Sequence, residues 1–147
     1  VRSGKMKAFK LWLLAIFLLT VVNIVNRVLY KRKIKHLTKA ERRKKMQEYD
    51  RQEAMALDGF ANRNYRTFWN SYLIKDNGYK FGVYGEMISS ALGKNEHDKT
   101  LSEKGKGKLS RWFYGVMLVK ILDRLDKDHC KNAIDLTKGD WVYTRNK

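Results

Sequence analysis

The 147-residue sequence contains no proline and a single cysteine, and its acidic residues are few beside its basic ones. Without proline, no helix is interrupted by a missing backbone donor. One cysteine excludes an intramolecular disulfide, which argues against a stapled secreted domain and suits a reducing compartment. The 32 Lys and Arg against 15 Asp and Glu give a net charge of +17. That charge favours polyanionic partners, either nucleic acid or an anionic membrane surface.

The longest uncharged stretch is residues 11–25, LWLLAIFLLTVVNIV. A membrane core of ~30 Å takes about 20 helical residues, and continuation to Tyr30 provides that length if Arg27 directs its charge outward. We therefore predict a transmembrane helix over 11–30 after a tail of residues 1–10. Residues 1–5 precede the first methionine and carry no weight in this prediction.

Two alternatives to a retained span stay open at this point. A cleaved signal peptide shares the basic start and the apolar run, but no small-x-small cleavage pattern follows the run. A helix that is buried in a soluble domain or lies at a membrane interface is the other alternative, although the run has no polar face over four turns.

The charge that follows the span sets the expected topology. Between residues 31 and 45 there are nine basic residues and one acidic residue, Glu41. The flank richer in Lys and Arg stays cytoplasmic, so we predict an outside N-terminus and a cytoplasmic C-terminal domain at a bacterial inner membrane. The residues expected to contact anionic lipid or another polyanion are Lys31, Arg32, Lys33, Lys35, Arg42, Arg43, Lys44 and Lys45.

Residues 31–57 are predicted to form a basic juxtamembrane helix or stalk. Thr38 and Glu41 have the spacing of a capping box at a helix start, and good helix formers continue to Leu57, with Gly59 as the expected stop. The helix is polar almost all round in its first part, so we expect it at the membrane surface or in solvent.

Residues 58–147 are predicted to form a small, mostly α-helical domain. An aromatic-rich amphipathic stretch covers 60–74, Asn77-Gly78 marks a turn, and Ser89 and Ser90 are helix-start residues. The last apolar face recurs at three- and four-residue steps; its members are Leu109, Trp112, Phe113, Val116, Met117, Ile121, Leu122 and Leu125. The overall fold class is therefore an N-terminal transmembrane helix followed by a small α-helical cytoplasmic domain.

Asp128, His129 and Cys130 are the residues most suggestive of chemistry, because a nucleophilic site, a metal site or a redox switch uses these side chains. However, neighbours on a helix project ~100° apart, so His129 is poorly placed to activate Cys130 unless the helix ends there. As metal ligands, Cys130, His129, Asp126 and the distant His97 are too few and too irregularly spaced. The structural interpretation is a helix end with Cys130 as a small buried group. We predict no metal and no cofactor.

Several motifs resemble a group of short bacteriophage and prophage proteins with the pattern LDxxAN, DETISS, a tryptophan-containing helix and LDxxDKDHCxx[AS]I. The likeness covers about residues 54–140. This chain has LDGFAN at 57–62, GEMISS at 85–90, Trp112, and LDRLDKDHCKNAI at 122–134. It departs from the pattern at Gly85 and Met87, so any chemistry carried by those two positions is not expected here.

The resemblance implies a phage context without a particular reaction. It also implies that Glu86, Ser89, Asp128, His129 and Cys130 lie in one local cluster. From these observations we expect a membrane-anchored, non-enzymatic accessory protein of phage or prophage origin. Its interaction module would act with an unknown host or phage protein at the host inner membrane, in lysis or host takeover.

Two alternative functions stay open. One is nucleic-acid binding at the membrane by residues 31–66, since the stalk is basic and aromatic residues are interleaved with Arg63, Arg66 and Lys75. The other is a cysteine-dependent enzyme that uses Cys130 and His129, with Asp128 and Glu86 as further candidate catalytic residues.

Overall fold

The computed structural model describes the backbone of residues 2–104 and 112–141, and their side chains from residue 7 onward. The described residues form six helices and no named strand, which confirms the mostly α-helical prediction. The helices are α1 (Arg2–Lys33), α2 (Lys39–Asn64), α3 (Arg66–Tyr72), α4 (Ile88–His97), α5 (Gly115–Leu125) and α6 (His129–Asn132). The chain divides into two compact units, Val1–Arg51 and Gln52–Lys147, which are described separately.

In the first unit, α1 is longer than the predicted 11–30 helix. Its segment Lys7–Lys33 is long and apolar enough to cross a membrane, and none of its apolar window is buried. The apolar side chains are exposed all round the helix, including Phe9, Leu14 and Leu19. By length and composition, this helix could therefore span a membrane.

After α1, a short turn leads into α2, and the capping box predicted there is present. The backbone N–H of Thr38 donates to Glu41 Oε2 at 2.9 Å, and the backbone N–H of Glu41 donates to Thr38 Oγ1 at 3.3 Å. The reciprocal bonds satisfy two donors that the helix start leaves unpaired. The buried residue of this turn is Ile34, which is 6% exposed.

The middle of α2 contacts the last turns of α1 through side chains. Arg27 donates to both oxygens of Asp50, at 2.8 and 2.9 Å, and the rings of Tyr30 and Tyr49 stack with centroids 4.6 Å apart. Arg27, which the sequence analysis assumed to direct its charge outward, therefore has a carboxylate partner. The same hydrogen bonds lower the pKa of Asp50.

The predicted stop at Gly59 is wrong, because α2 continues through it to Asn64. A Cβ at Gly59 would meet only one atom, the carbonyl oxygen of Glu86, at 4.0 Å, so the helix has space for a side chain at this position. Helix-terminating glycines commonly adopt a left-handed conformation, and among the described residues the glycines with positive φ are Gly82, Gly85 and Gly139 instead.

The second unit packs α4, α5 and α6 against one another. The chain between α3 and α4 is irregular, and an antiparallel bridge joins Ile74 to Leu101. The buried hydrophobic cluster lies among these segments and consists of Leu73, Ile74, Phe81, Ala91, Leu92, Leu101, Val119 and Cys130.

The prediction for the last long helix is wrong in its start and in part of its face. α5 begins at Gly115, and Leu109 lies outside the described residues. Trp112 is 75% exposed and Leu125 is 80% exposed, while the most buried side chain of α5 is Val119. α5 starts after Tyr114, whose backbone is extended, and the N–H of Gly115 donates to Ser102 Oγ at 2.8 Å. Gly115 also packs against the backbone of Leu73, where a Cβ would overlap the Leu73 carbonyl.

Candidate functional site

A buried ion pair on and beside α4 is the most unusual polar feature of the second unit. Lys94 Nζ lies 2.6 Å from Glu86 Oε1, and both side chains are 0% exposed. Removing two charges from water costs several kcal/mol each unless partners compensate. The hydrogen bonds around the pair therefore decide whether it is a reactive centre or part of the framework.

Each polar atom of the pair has further partners. Tyr79 donates its hydroxyl to Glu86 Oε2 at 2.8 Å, and Ser90 donates to Glu86 Oε1 at 2.8 Å. Lys94 donates to the backbone carbonyl of Lys138 at 2.7 Å and lies 4.4 Å from the centroid of the Tyr79 ring. Burial, followed by the hydrogen bond to Glu86, raises the pKa of Tyr79. The network is saturated internally, which is the arrangement of a structural core.

The same network holds the segment that follows α6. Ser90 accepts a hydrogen bond from the backbone N–H of Asp135 at 3.0 Å while it donates to Glu86. Lys94 binds the carbonyl of Lys138. Two helical side chains one turn apart thus fix the backbone of a segment about 45 residues away in sequence.

Buried amides hold the irregular segment between α3 and α4. Asn62 accepts a hydrogen bond from the backbone N–H of Gly82 at 3.0 Å and donates one to the carbonyl of Glu86 at 2.7 Å. Asn95 donates to the carbonyl of Tyr79 at 2.8 Å. These side chains replace the backbone pairing that a strand would supply, so the segment can be irregular and still satisfied.

Ser89 and Ser90 were predicted as helix-start residues, but neither caps α4. The cap comes from α2: Asp58 accepts the backbone N–H of Ile88 at 3.1 Å and the hydroxyl of Ser89 at 3.1 Å. A carboxylate at this position satisfies unpaired donors and complements the positive end of the helix dipole.

Cys130 is fully buried in the hydrophobic cluster. Desolvation, followed by the nearby carboxylates Asp123, Glu96 and Asp58, raises the pKa of its thiol to about 12. A reactive cysteine needs the opposite surroundings, namely exposure and positive charge. The carbonyl of Cys130 lies directly against Gly93, where any Cβ would overlap it. Close approach of α4 and α6 therefore explains both the glycine and the small buried cysteine.

His129 and Asp128 lie at a break between helices. α5 ends at Leu125, Asp128 adopts a left-handed conformation with φ of 57°, and His129 begins the short α6. His129 Nδ1 lies 3.1 Å from Asp126 Oδ2, and within the described residues no hydrogen bond joins His129 to Cys130. His129 thus starts a helix, whereas the sequence placed it at a helix C-terminus or turn.

The five residues expected to cluster are distributed over different contacts. Glu86 belongs to the buried ionic network, Ser89 to the cap made by Asp58, and Cys130 to the hydrophobic core. Asp128 lines an open cavity of about 460 Å³; the other lining residues are Gly93, Glu96, His97, Asp123, Lys131, Ile134 and Leu136. What joins these sets is the packing of α4 on α6.

The cavity beside Asp128 is acidic although the chain is basic. Burial and the neighbouring carboxylates of Asp123 and Asp128 raise the pKa of Glu96. Asp123 Oδ1 is buried and has no hydrogen-bond partner among the described residues. Nevertheless, in the described part of the chain no three His, Cys, Asp or Glu side chains are placed to hold a metal ion.

Sequence reasoning missed Lys94, Asp58, Asn62 and Tyr79 as site-forming residues. Asp58 and Asn62 belong to the LDGFAN motif, and Lys94 to the GK dipeptide after GEMISSAL, but no local pattern indicates a role for any of the three. Comparison with protein families, curated proteins and solved structures finds no match to this chain. The assignment of function therefore depends on the chain's own geometry.

Proposed function

We propose that this chain is a membrane-anchored, non-enzymatic protein of phage or prophage origin that holds a small helical interaction domain at the cytoplasmic face of the host inner membrane. The observation that carries the proposal is the segment Lys7–Lys33, whose apolar window is wholly unburied. Exposing so many large apolar side chains to water would cost on the order of 1.5–3 kcal/mol for each. Insertion into lipid removes that cost.

The asymmetry of charge supports the orientation. Nine basic residues lie between 31 and 45, after the apolar stretch, whereas four precede it, namely Arg2, Lys5, Lys7 and Lys10. Basic residues near the end of a span resist translocation, so the richer end stays inside. The second unit would then face the cytoplasm, where its one thiol, Cys130, remains reduced.

The internal saturation of the second unit supports a non-enzymatic role. The groups with the greatest catalytic potential, Glu86, Lys94 and Cys130, are fully buried. The ionic pair is committed to Tyr79, Ser90 and a backbone carbonyl. A catalyst must present its reacting atoms to a substrate, and these residues present theirs to the protein interior.

Membrane fractionation of cells that express the full chain with a C-terminal reporter tests this proposal. We expect the protein to resist extraction by alkaline carbonate. A C-terminal reporter that works only in the cytoplasm should be active, and one that works only in the periplasm should be inactive. Leu14→Arg with Leu18→Arg should release the chain from the membrane. The matched control is Leu125→Arg with Leu136→Arg, which makes the same change at two exposed leucines outside the span and should leave the chain there.

Two results would overturn the proposal. A periplasmic C-terminus would reverse the topology and remove the second unit from the cytoplasm. A product shortened near residue 30 would identify α1 as a cleaved signal sequence, because a signal peptide is removed from the mature protein.

A further inference from the structure

The turn between α1 and α2 forms a groove in which basic residues surround an apolar floor. The groove has a volume of about 500 Å³ and lies within the first unit. Its apolar members are Val28, Ile34 and Met46, and its basic members are Lys31, Arg32, Lys35, Lys39, Arg42 and Arg43. Among its lining residues there is no carboxylate.

The acids near this groove are already committed elsewhere. Glu41 accepts from the backbone and hydroxyl of Thr38, Glu48 pairs with Arg51, and Asp50 pairs with Arg27. Within the described residues none of the six groove cations forms a salt bridge. Six like charges around one concave surface repel one another, so an anion held among them relieves that repulsion.

The position of the groove selects the kind of anion. Val28 belongs to the apolar helix, Ile34 is buried in the turn, and Met46 comes from α2. Basic pockets at the cytoplasmic end of membrane helices suit phosphorylated lipid head groups. A free phosphate or a nucleic-acid backbone would use the cations, but only a lipid would also use the exposed apolar surface of α1 next to them.

We infer that this groove binds a phospholipid head group carrying two or more phosphates, with the acyl chains lying along α1. The inference rests on the proposed function, because it requires α1 to lie in a membrane. A single phosphodiester carries one negative charge and leaves most of the six cations uncompensated, whereas a head group with two phosphates neutralises more of them within one concave site. Lys and Arg also donate charge-assisted hydrogen bonds to phosphate oxygens.

The test measures lipid binding by the full-length chain in detergent. The probes are diphosphatidylglycerol, phosphatidylglycerol at equal phosphate concentration, phosphatidylcholine, inorganic phosphate and a DNA duplex. Each basic residue near an anionic surface contributes about fivefold to binding. For the unmodified chain we therefore expect a preference of at least about 10-fold for diphosphatidylglycerol over phosphatidylglycerol per phosphate.

Two charge-matched triple variants separate a site from general attraction. Arg32→Gln, Lys39→Gln and Arg42→Gln remove three groove cations, and this variant should lose the preference. Lys33→Gln, Lys44→Gln and Lys45→Gln remove three cations that do not line the groove, and this variant should keep it. Circular dichroism checks that both triples retain the helical content of the unmodified chain.

Equal binding of the two lipids per phosphate by the unmodified chain would overturn the inference, whatever the variants do. Equal losses in the two triples would also overturn it, because the attraction would then be general. Displacement of the lipid by millimolar inorganic phosphate, or by the DNA duplex at equal phosphate, would assign the groove to that ligand instead. Failure here would leave the proposed function standing, since carbonate resistance and the reporter result do not depend on lipid preference.

Discussion

The buried pair of Lys94 and Glu86 gives the sharpest prediction about the second unit. Lys94→Met keeps the approximate length of the side chain and removes its charge and its donors. Glu86 then remains fully buried with the hydroxyls of Tyr79 and Ser90 as donors, and the carbonyl of Lys138 loses its bond from Lys94. One carboxylate and one carbonyl are thus left under-satisfied in the core.

The expected loss of stability follows from these contacts. Removing one partner of a buried ion pair costs about 3–5 kcal/mol. For a domain of this size, about 1 kcal/mol corresponds to 4–8 °C in melting temperature, so Lys94→Met should lower the melting temperature of the second unit by at least about 12 °C. The free energy of unfolding measured by chemical denaturation should decrease in parallel.

A double-mutant cycle separates the pair from ordinary packing. Glu86→Gln alone should also destabilise, because it leaves the Lys94 ammonium buried without a counter-charge. Lys94→Met combined with Glu86→Gln should cost less than the sum of the two single changes by about 2 kcal/mol or more, since contacting residues are coupled. Near-ultraviolet circular dichroism of the full chain in detergent reports the unfolding of the aromatic-rich second unit.

The control is the exposed pair of Arg51 and Glu48. Arg51→Met should leave the melting temperature almost unchanged, because exposed pairs are screened by water and salt. A loss below about 1 kcal/mol for Lys94→Met, or strict additivity in the cycle, would refute a buried, structural pair.

Three further predictions concern the packing around α4. Gly93→Ala should lower the free energy of unfolding by about 1–3 kcal/mol, because the new Cβ overlaps the Cys130 carbonyl and the backbone must move. Gly59→Ala, at a mid-helix position with space for a Cβ, should instead raise it by up to about 1 kcal/mol in the same thermal assay. Asp58→Ala should cost about 1–2 kcal/mol through loss of the α4 cap, and an unchanged melting temperature would refute that role. The thiol pKa of Cys130 is about 12 against an ordinary 9.0, so the folded chain should hold about 1,000-fold less thiolate at pH 8 and react with maleimide only on unfolding; rapid labelling of the folded chain would contradict a buried thiol. Because the pKa is higher in the folded state, the free energy of unfolding should decrease as pH rises from about 9 toward 12.

Local signals explain what could be predicted from the sequence. The apolar run and the Thr38 capping box act within a few residues of themselves, so neither depends on the tertiary fold. The end of α2 depends on more than Gly59: Asp58, before this glycine, accepts a hydrogen bond from the start of α4, and Asn62, after it, donates to the segment that precedes α4. Tertiary contacts therefore keep the helix going past a residue that its local propensity would use as a stop.

The buried network could not be predicted because its members are ordinary in isolation. A lysine in a chain with 32 basic residues is expected at the surface. Lys94 is buried because Glu86, eight residues earlier and outside α4, forms an ion pair with it, and because the carbonyl of Lys138 reaches it from a distant segment. Neither contact has a sequence spacing that indicates pairing, since helical neighbours lie three or four residues apart.

Three positions in the LDGFAN, GEMISS and DKDHC motifs have structural explanations in this chain. Asp58 caps α4, Glu86 neutralises a buried lysine, and the carbonyl of Cys130 packs against Gly93. Each contact joins α4 to a different part of the second unit, so the motifs together define how that unit closes around one helix. A motif that specifies a fold in this way places no demand on an exposed reacting atom. Residues that set this protein's partner are thus to be sought outside the motifs, and the basic groove beside α1 is the first such place to examine.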